Sequence, residues 1–173
     1  PKQGSNPGGF YRDPDTNAQW YIKQPKSGDH VGNEILAARL YELAGVKVPE
    51  IRLTTYSGQP AVASKIVDGS LLNQFQMQPW VKTEIGKDMP IDAWLANWDA
   101  VGTGKDNIIF DQVSGLPYRI DMGGALRYRA MGEPKGDMFG PEVTELKTLL
   151  DPKINKDAAD IFGGMDKQIA SDA

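Results

Sequence analysis

Asp121, in YRIDMGG, closes an ordered series of polar residues. Before it come Gly4-Ser5-Asn6-Pro7-Gly8-Gly9, Lys23 in WYIK, Glu34 in GNEILAARLY, and Asp99 through Asn107 in WDAVGTGKDN. A glycine turn, a strand lysine, a helix glutamate, an Asp/Asn loop and a strand-end aspartate are the parts that hold a nucleoside triphosphate and its magnesium. Gly4, Ser5, Gly8 and Gly9 would let backbone N–H groups approach phosphate oxygens. Lys23, turned inward from a small sheet, needs an anionic partner, and Glu34 is placed eleven residues on to supply it. Phosphoryl transfer also needs a carboxylate near the acceptor hydroxyl and an oxygen ligand for magnesium. Asn107 and Asp121 fit the metal role, and Asp99 or Asp106 fits the base.

The elements that must position these groups are legible in outline. Phe10-Tyr11-Arg12 and Gln19 to Lys23 flank the turn-rich Asp13-Pro14-Asp15-Thr16-Asn17, a hairpin signal. Side-chain alternation puts Lys23 and Tyr21 on one face of the strand, and Trp20 and Ile22 on the other. A helix is predicted over Asn33 to Leu43, with Leu36, Leu40 and Leu43 on one stripe and Ala37, Tyr41 and Ala44 beside it. Glu34 then falls in its first turn, and Gly45 and Pro49 end it. Strands follow at Ile51 to Tyr56 and Ala61 to Ile66, and Val67-Asp68-Gly69-Ser70 reads as a connector.

Beyond the connector, Leu71 to Met77 is predicted helical, and Gln78 to Lys87 has no clear pattern. Asp88 is positioned to cap a helix with Pro90 in its first turn and Ile91, Trp94, Leu95 and Trp98 as apolar positions, running into Asp99. Ile108-Ile109-Phe110 and Tyr118-Arg119-Ile120 bracket the turn Ser114 to Pro117. That second hairpin would return Asp121 beside Asn107. Pro141 to Leu150 is predicted helical, and Asn155 is placed to cap a last helical segment. His30 reads as an exposed loop residue, and Trp94 and Trp98 read as core.

The chain has 173 residues, 40% of them apolar, enough for one sizeable core or one compact two-lobed unit. No apolar run is long enough for a membrane span, and the first residues carry no charged-then-apolar signal. A start at Pro1 reads as a processed chain or a fragment of something longer. The absence of cysteine removes disulfides and thiolate chemistry, and one histidine disfavours a histidine metal site. A reduced cytosol and delivery to a host cytosol both fit. A net charge of −4, with signs mixed along the chain, disfavours nucleic acid as a partner. The one basic cluster is Arg127, Arg129 and Lys135.

Together GSNPGG, WYIK, GNEILAARLYELAG, NWDAVGTGKDN and YRIDMGGAL resemble the atypical kinase-like superfamily. That superfamily includes phosphoinositide kinases, actin-fragmin kinase and the serine kinases of bacterial persistence toxins. The resemblance covers roughly residues 4 to 130. It implies an α+β, two-lobed kinase-like fold, with a small antiparallel β-sheet lobe holding one helix (1–66) and a reduced helical lobe (70–173). It implies ATP and Mg2+ as cofactors and a protein hydroxyl as acceptor. Lys23 would contact phosphates and Glu34 would anchor it. Lys65, Ile66 and Val67 would line the adenine side. Asn107 and Asp121 would ligate magnesium, with Asp99 or Asp106 as base. The family's usual aspartate position, five residues before the asparagine, is Gly102 here, and the strand-end motif reads Asp-Met-Gly.

The same site could serve adenylyl transfer, or nucleotide binding without turnover as in a pseudokinase. A non-enzymatic interaction domain of a larger phage or bacterial protein is the third expectation. Lipid acceptors are disfavoured, because no polybasic run or basic amphipathic helix is present.

Overall fold

The structure, a computed structural model, describes residues 6–165. The class is α+β, built on two small antiparallel sheets. β1 (Gly8–Arg12), β2 (Gln19–Lys23), β3 (Ile51–Tyr56) and β4 (Gln59–Lys65) form the first sheet, in the order β1-β2-β4-β3. The β1–β2 turn closes because the Asp13 carboxylate accepts from the N–H groups of Asp15 (2.9 Å) and Thr16 (3.0 Å). At the open end of that hairpin Gly8 pairs with Lys23, and a Cβ on Gly8 would lie 2.0 Å from the Ile22 carbonyl oxygen. Glycine at position 8 is therefore demanded by strand contact.

α1 (Gly28–Leu43) crosses this sheet. It begins five residues earlier than the predicted Asn33, because Ser27 Oγ accepts from His30 N–H at 3.1 Å and caps the first turn. Glu34 therefore lies in the second turn, not the first. The buried face carries His30, Val31, Asn33, Glu34, Ala37, Ala38 and Tyr41, while Leu36 and Leu43 are exposed. The leucine stripe was thus the wrong face. Small alanines let the helix approach the strands closely, and the leucines fall on the solvent side.

The second sheet runs β5-β6-β7, with β5 at Gly69–Leu71, β6 at Ile108–Asp111 and β7 at Pro117–Arg119. Leu71 to Met77 is not a helix: it holds the end of β5 and one 3-10 turn. α2 (Pro79–Gly86) fills the stretch without a clear pattern, starting on a proline at the first helical position. α3 (Met89–Trp94) ends short of Asp99, because Ala96 takes the left-handed conformation at φ 53°. Asp88 precedes α3 without a side-chain capping bond. Trp94 and Trp98 are exposed rather than core. α4 is the short Glu145–Thr148 segment rather than a helix from Pro141, and Asn155 caps α5 (Lys156–Phe162) through Ala158 N–H.

Two apolar clusters result. One joins α1 with Val46, Ile51, Val62, Leu95, Met122, Ala125 and Leu126. The other gathers Leu72, Val81, Ile85, Met89, Ile108, Phe110, Leu149, Ile161 and Phe162. Between them lies a buried polar knot. Arg119 on β7 donates to both oxygens of Asp92 on α3 and to the Ile85 carbonyl. Tyr41 of α1 donates its hydroxyl to Asp92 at 2.9 Å and accepts from Asn97 at 3.0 Å. Both charges are sequestered from water, so each is tolerated only because the other is present. Among the described residues no helix is long and apolar enough to cross a membrane.

Candidate functional site

Lys23 ends β2 opposite Val62, on the face covered by α1. Its ammonium reaches Glu34 Oε1 at 2.8 Å and Asp121 Oδ1 at 2.6 Å. Burial works against the Lys23 charge, but the two carboxylates outweigh it and raise its pKa above the ordinary range. Burial pushes Glu34 up to about 7, with Lys23 opposing and Asp121 adding to the rise. Glu34 Oε2 is buried without a hydrogen-bond partner among the described residues. The carboxylate therefore has one oxygen on Lys23 and one idle.

Asp121 follows β7 in the left-handed region, at φ 57° and ψ 72°, and its Oδ1 also accepts from Gly123 N–H at 3.3 Å. Desolvation of the inward oxygen pushes against its charge, yet Lys23 and the Gly123 N–H hold its pKa below the usual carboxylate range. The side chain remains 52% exposed, so its second oxygen faces open space.

The predicted return of the second hairpin is what the strands do. Ile120 N–H donates to the Asn107 carbonyl at 2.9 Å, which sets Asp121 one residue along from that contact. Asn107 Nδ2 donates to the Asp99 carbonyl at 2.8 Å and to Asp99 Oδ2 at 3.2 Å. Burial raises the Asp99 pKa to about 6, with the charge of Asp121 as the next cause and the Asn107 bond opposing. Asp106 is exposed, and its carboxylate folds over Gly102, where a Cβ would come within 2.2 Å of it. Gly102, at φ 81°, thus holds a left-handed turn of the Asp/Asn loop where no side chain fits.

The structure thus brings Lys23, Glu34, Asp121, Asp99 and Asn107 to one place. Gly8 and Gly9 lie at that end of the first sheet, and Gln24 N–H donates to the Pro7 carbonyl at 2.8 Å. Gly4 and Ser5 lie outside the described residues. Lys65 is exposed and turned to Glu50 at 3.5 Å, so it does not face the cluster. Ile66 is partly exposed, its N–H taken by the Gln19 carbonyl, and with Val67 it leads from the first sheet into the second.

The oxygen donors of Asp121, Asn107 and Asp99 suit a hard divalent cation that keeps waters and phosphate oxygens in its shell. Among the described residues no group of three or more His, Asp or Glu forms a cation cage, so any such ion would need ligand oxygens to complete its coordination. Asp121's open oxygen is the observation compatible with that demand.

Several participants escaped sequence reasoning. His30 is buried, not an exposed loop residue: its Nε2 lies 2.8 Å from the Gly123 carbonyl oxygen and its ring stacks on Tyr128 at 4.8 Å. Burial lowers its pKa. Asn33 donates to the Ala125 carbonyl at 2.9 Å and accepts from Arg127 N–H at 3.1 Å. Both residues fasten α1 to the turn after Asp121. Ser27, three residues before His30, was the signal that the helix began early enough to bury them. A cavity of about 770 Å³ opens beside Asp99, lined by Trp98, Gly124, Met131, Lys135, Met138 and Glu145 among others. Lys23, Asn107 and Asp121 are not in its wall.

Set against known proteins, the chain matches no family model, and no curated protein matches it.

Proposed function

We propose that the chain binds a nucleoside triphosphate with Mg2+ in a two-lobed kinase-like cleft and transfers a phosphoryl group to a protein hydroxyl. The observation that carries this reading is the convergence of Lys23, Glu34, Asp99, Asn107 and Asp121 from four separated segments. Lys23 supplies positive charge for phosphate oxygens, and Glu34 keeps it aimed when Asp121 is drawn to another partner. Asn107 and Asp121 are the residues that would hold Mg2+, which when bound neutralises charge on the phosphates. Asp99 is favoured over Asp106 as the group that orients or deprotonates the acceptor. It is part-buried, fixed by Asn107, and holds its proton up to about pH 6, whereas Asp106 lies exposed across Gly102. Gly8 lies opposite Lys23 at that end of the sheet, and Gly9 is its neighbour. Ile66 and Val67 would face the base side; Lys65 would not.

Thermal denaturation with and without Mg-ATP tests the reading. Wild type should be stabilised by saturating nucleotide only with magnesium present, and Asp121→Asn should lose that stabilisation. Radiolabel from the terminal phosphate should then appear on mixed protein substrates. Stabilisation without transfer would leave nucleotide binding alone, or adenylyl transfer. No magnesium-dependent stabilisation of wild type would remove the nucleotide site and leave an interaction domain.

A further inference from the structure

Lys135 is a buried cation that, among the described residues, hydrogen-bonds no carboxylate. It is 7% exposed, and its ammonium donates to two backbone carbonyls, those of Ala96 and of Gly124 at 2.9 Å. Ala96 is the left-handed residue at which the chain leaves α3 and turns toward Asp99. Gly124 closes the short turn that starts at Asp121. The two turns also share one backbone bond, from Leu126 N–H to the Leu95 carbonyl at 2.7 Å. A Cβ on Gly124 would come within 3.2 Å of Asp99 Cβ, so these segments are in direct contact where Lys135 clasps them. Lys135 and Asp99 line the same cavity. Burial lowers the Lys135 pKa to about 8, with Glu145 opposing and Arg129 adding to the fall.

A methionine would fill much of the same volume without a desolvated charge. What the ammonium adds is a pair of charge-assisted bonds to carbonyls on two different turns. We infer that Lys135 is a positioning residue, one that fixes the Asp99 turn against the Asp121 turn and so sets the spacing between the acceptor side and the phosphate side of the site. The catalytic consequence rests on the phosphoryl-transfer reading; the clasp itself does not.

Amide hydrogen exchange of the nucleotide-free protein tests the clasp. In Lys135→Met, amides of 97–102 and 122–126 should exchange about tenfold faster than in wild type, while those of β3 and β4 stay unchanged. Lys135→Arg, which keeps the charge and donors, should remain within about threefold of wild type. In transfer assays, Lys135→Met should lower kcat about tenfold with little change in KM for Mg-ATP, and Lys135→Arg should recover most of it. Unchanged exchange in Lys135→Met overturns the clasp. Faster exchange with unchanged kcat overturns the positioning role. Should Lys135→Met not fold, Lys135→Gln keeps one amide donor, and exchange midway between wild type and the globally unfolding limit supports the clasp, whereas wild-type exchange overturns it. Failure of Mg-ATP to stabilise wild type removes the transfer reading while the exchange result still decides the clasp.

Discussion

Lys23 and Asp121, separated by 98 positions in the chain, meet at 2.6 Å. The contact joins the last residue of β2 to the second residue after β7, and so ties the ends of the two sheets together at the proposed site. Glu34 holds the other side of the ammonium, which makes Lys23 the shared cation of a buried and a half-open carboxylate.

Removing that cation leaves Glu34 buried and unpaired. Lys23→Met should therefore cost about 3–5 kcal/mol of stability at pH 8, measured by urea denaturation. At pH 5 the loss should shrink, because Glu34, already shifted up to about 7, takes a proton and no longer needs a counter-charge. Lys23→Met with Glu34→Gln should recover a large part of the deficit at pH 8. Equal losses at both pH values would contradict the ion-pair account.

Asp99 carries a pKa raised to about 6, against an ordinary value of 3.8. The folded chain holds this proton more tightly than the unfolded one. Its contribution to stability is thus complete below about pH 4 and lost as pH rises through about 6. Asp99→Asn removes the effect, so relative to that variant wild type should lose roughly 1–2 kcal/mol between pH 4 and pH 7.5, allowing for partial solvent access. If Asp99 is also the base, transfer should fall as pH drops below about 6. A pH-independent difference between the two proteins would rule out the burial of Asp99 as described.

His30 has the opposite sign. Burial depresses its pKa, so its contribution is present above the unfolded value of about 6.5 and lost as pH falls through the folded value. His30→Gln should therefore narrow its stability gap to wild type on acidification from pH 7.5 to pH 5. Urea midpoints at the two pH values measure this, and a gap that widens would refute it.

Arg119 and Asp92 are both sequestered. Replacing either partner alone, as Arg119→Met or Asp92→Leu, should cost about 3–5 kcal/mol, whereas the double replacement should lie much closer to wild type. A double-mutant cycle reads the coupling. Additive losses would mean that packing, not charge, dominates the position.

The class and the second hairpin were legible because turn residues and β-branched runs mark them locally. Lys23 and Glu34 were legible for a related reason: strand alternation turned the lysine inward, and one helix glutamate was within reach. The helix face was not, since leucine spacing favoured Leu36 and Leu43, while close packing on the sheet was met by Ala37, Ala38 and Tyr41. Trp94 and Trp98 misled for the same reason: their size and four-residue spacing resemble a core stripe, but α3 stops at Trp94 and leaves both open. The signal for the polar knot was present and unread. Arg119 in the middle of an apolar strand requires a buried acid, and Asp92 lies inside an otherwise apolar helix. Lys135 could not have been found, because its partners are backbone carbonyls that carry no residue signature.

Four side-chain-bearing residues around the cluster, Ala96, Lys105, Asp121 and Leu126, hold positive φ values of 53°, 62°, 57° and 53°. Left-handed geometry costs an L-residue on the order of 1 kcal/mol each, so together they forgo about 4 kcal/mol against a typical net stability of 5–15 kcal/mol. Glycine at Ala96 would relieve the local crowding while surrendering the stiffness, whereas at Leu126 it would hollow the apolar cluster which that side chain fills. Directed selection for heat resistance alone should accordingly drift toward glycine at Ala96, keep Leu126, and blunt whatever the carboxylates accomplish beside the loosened turn.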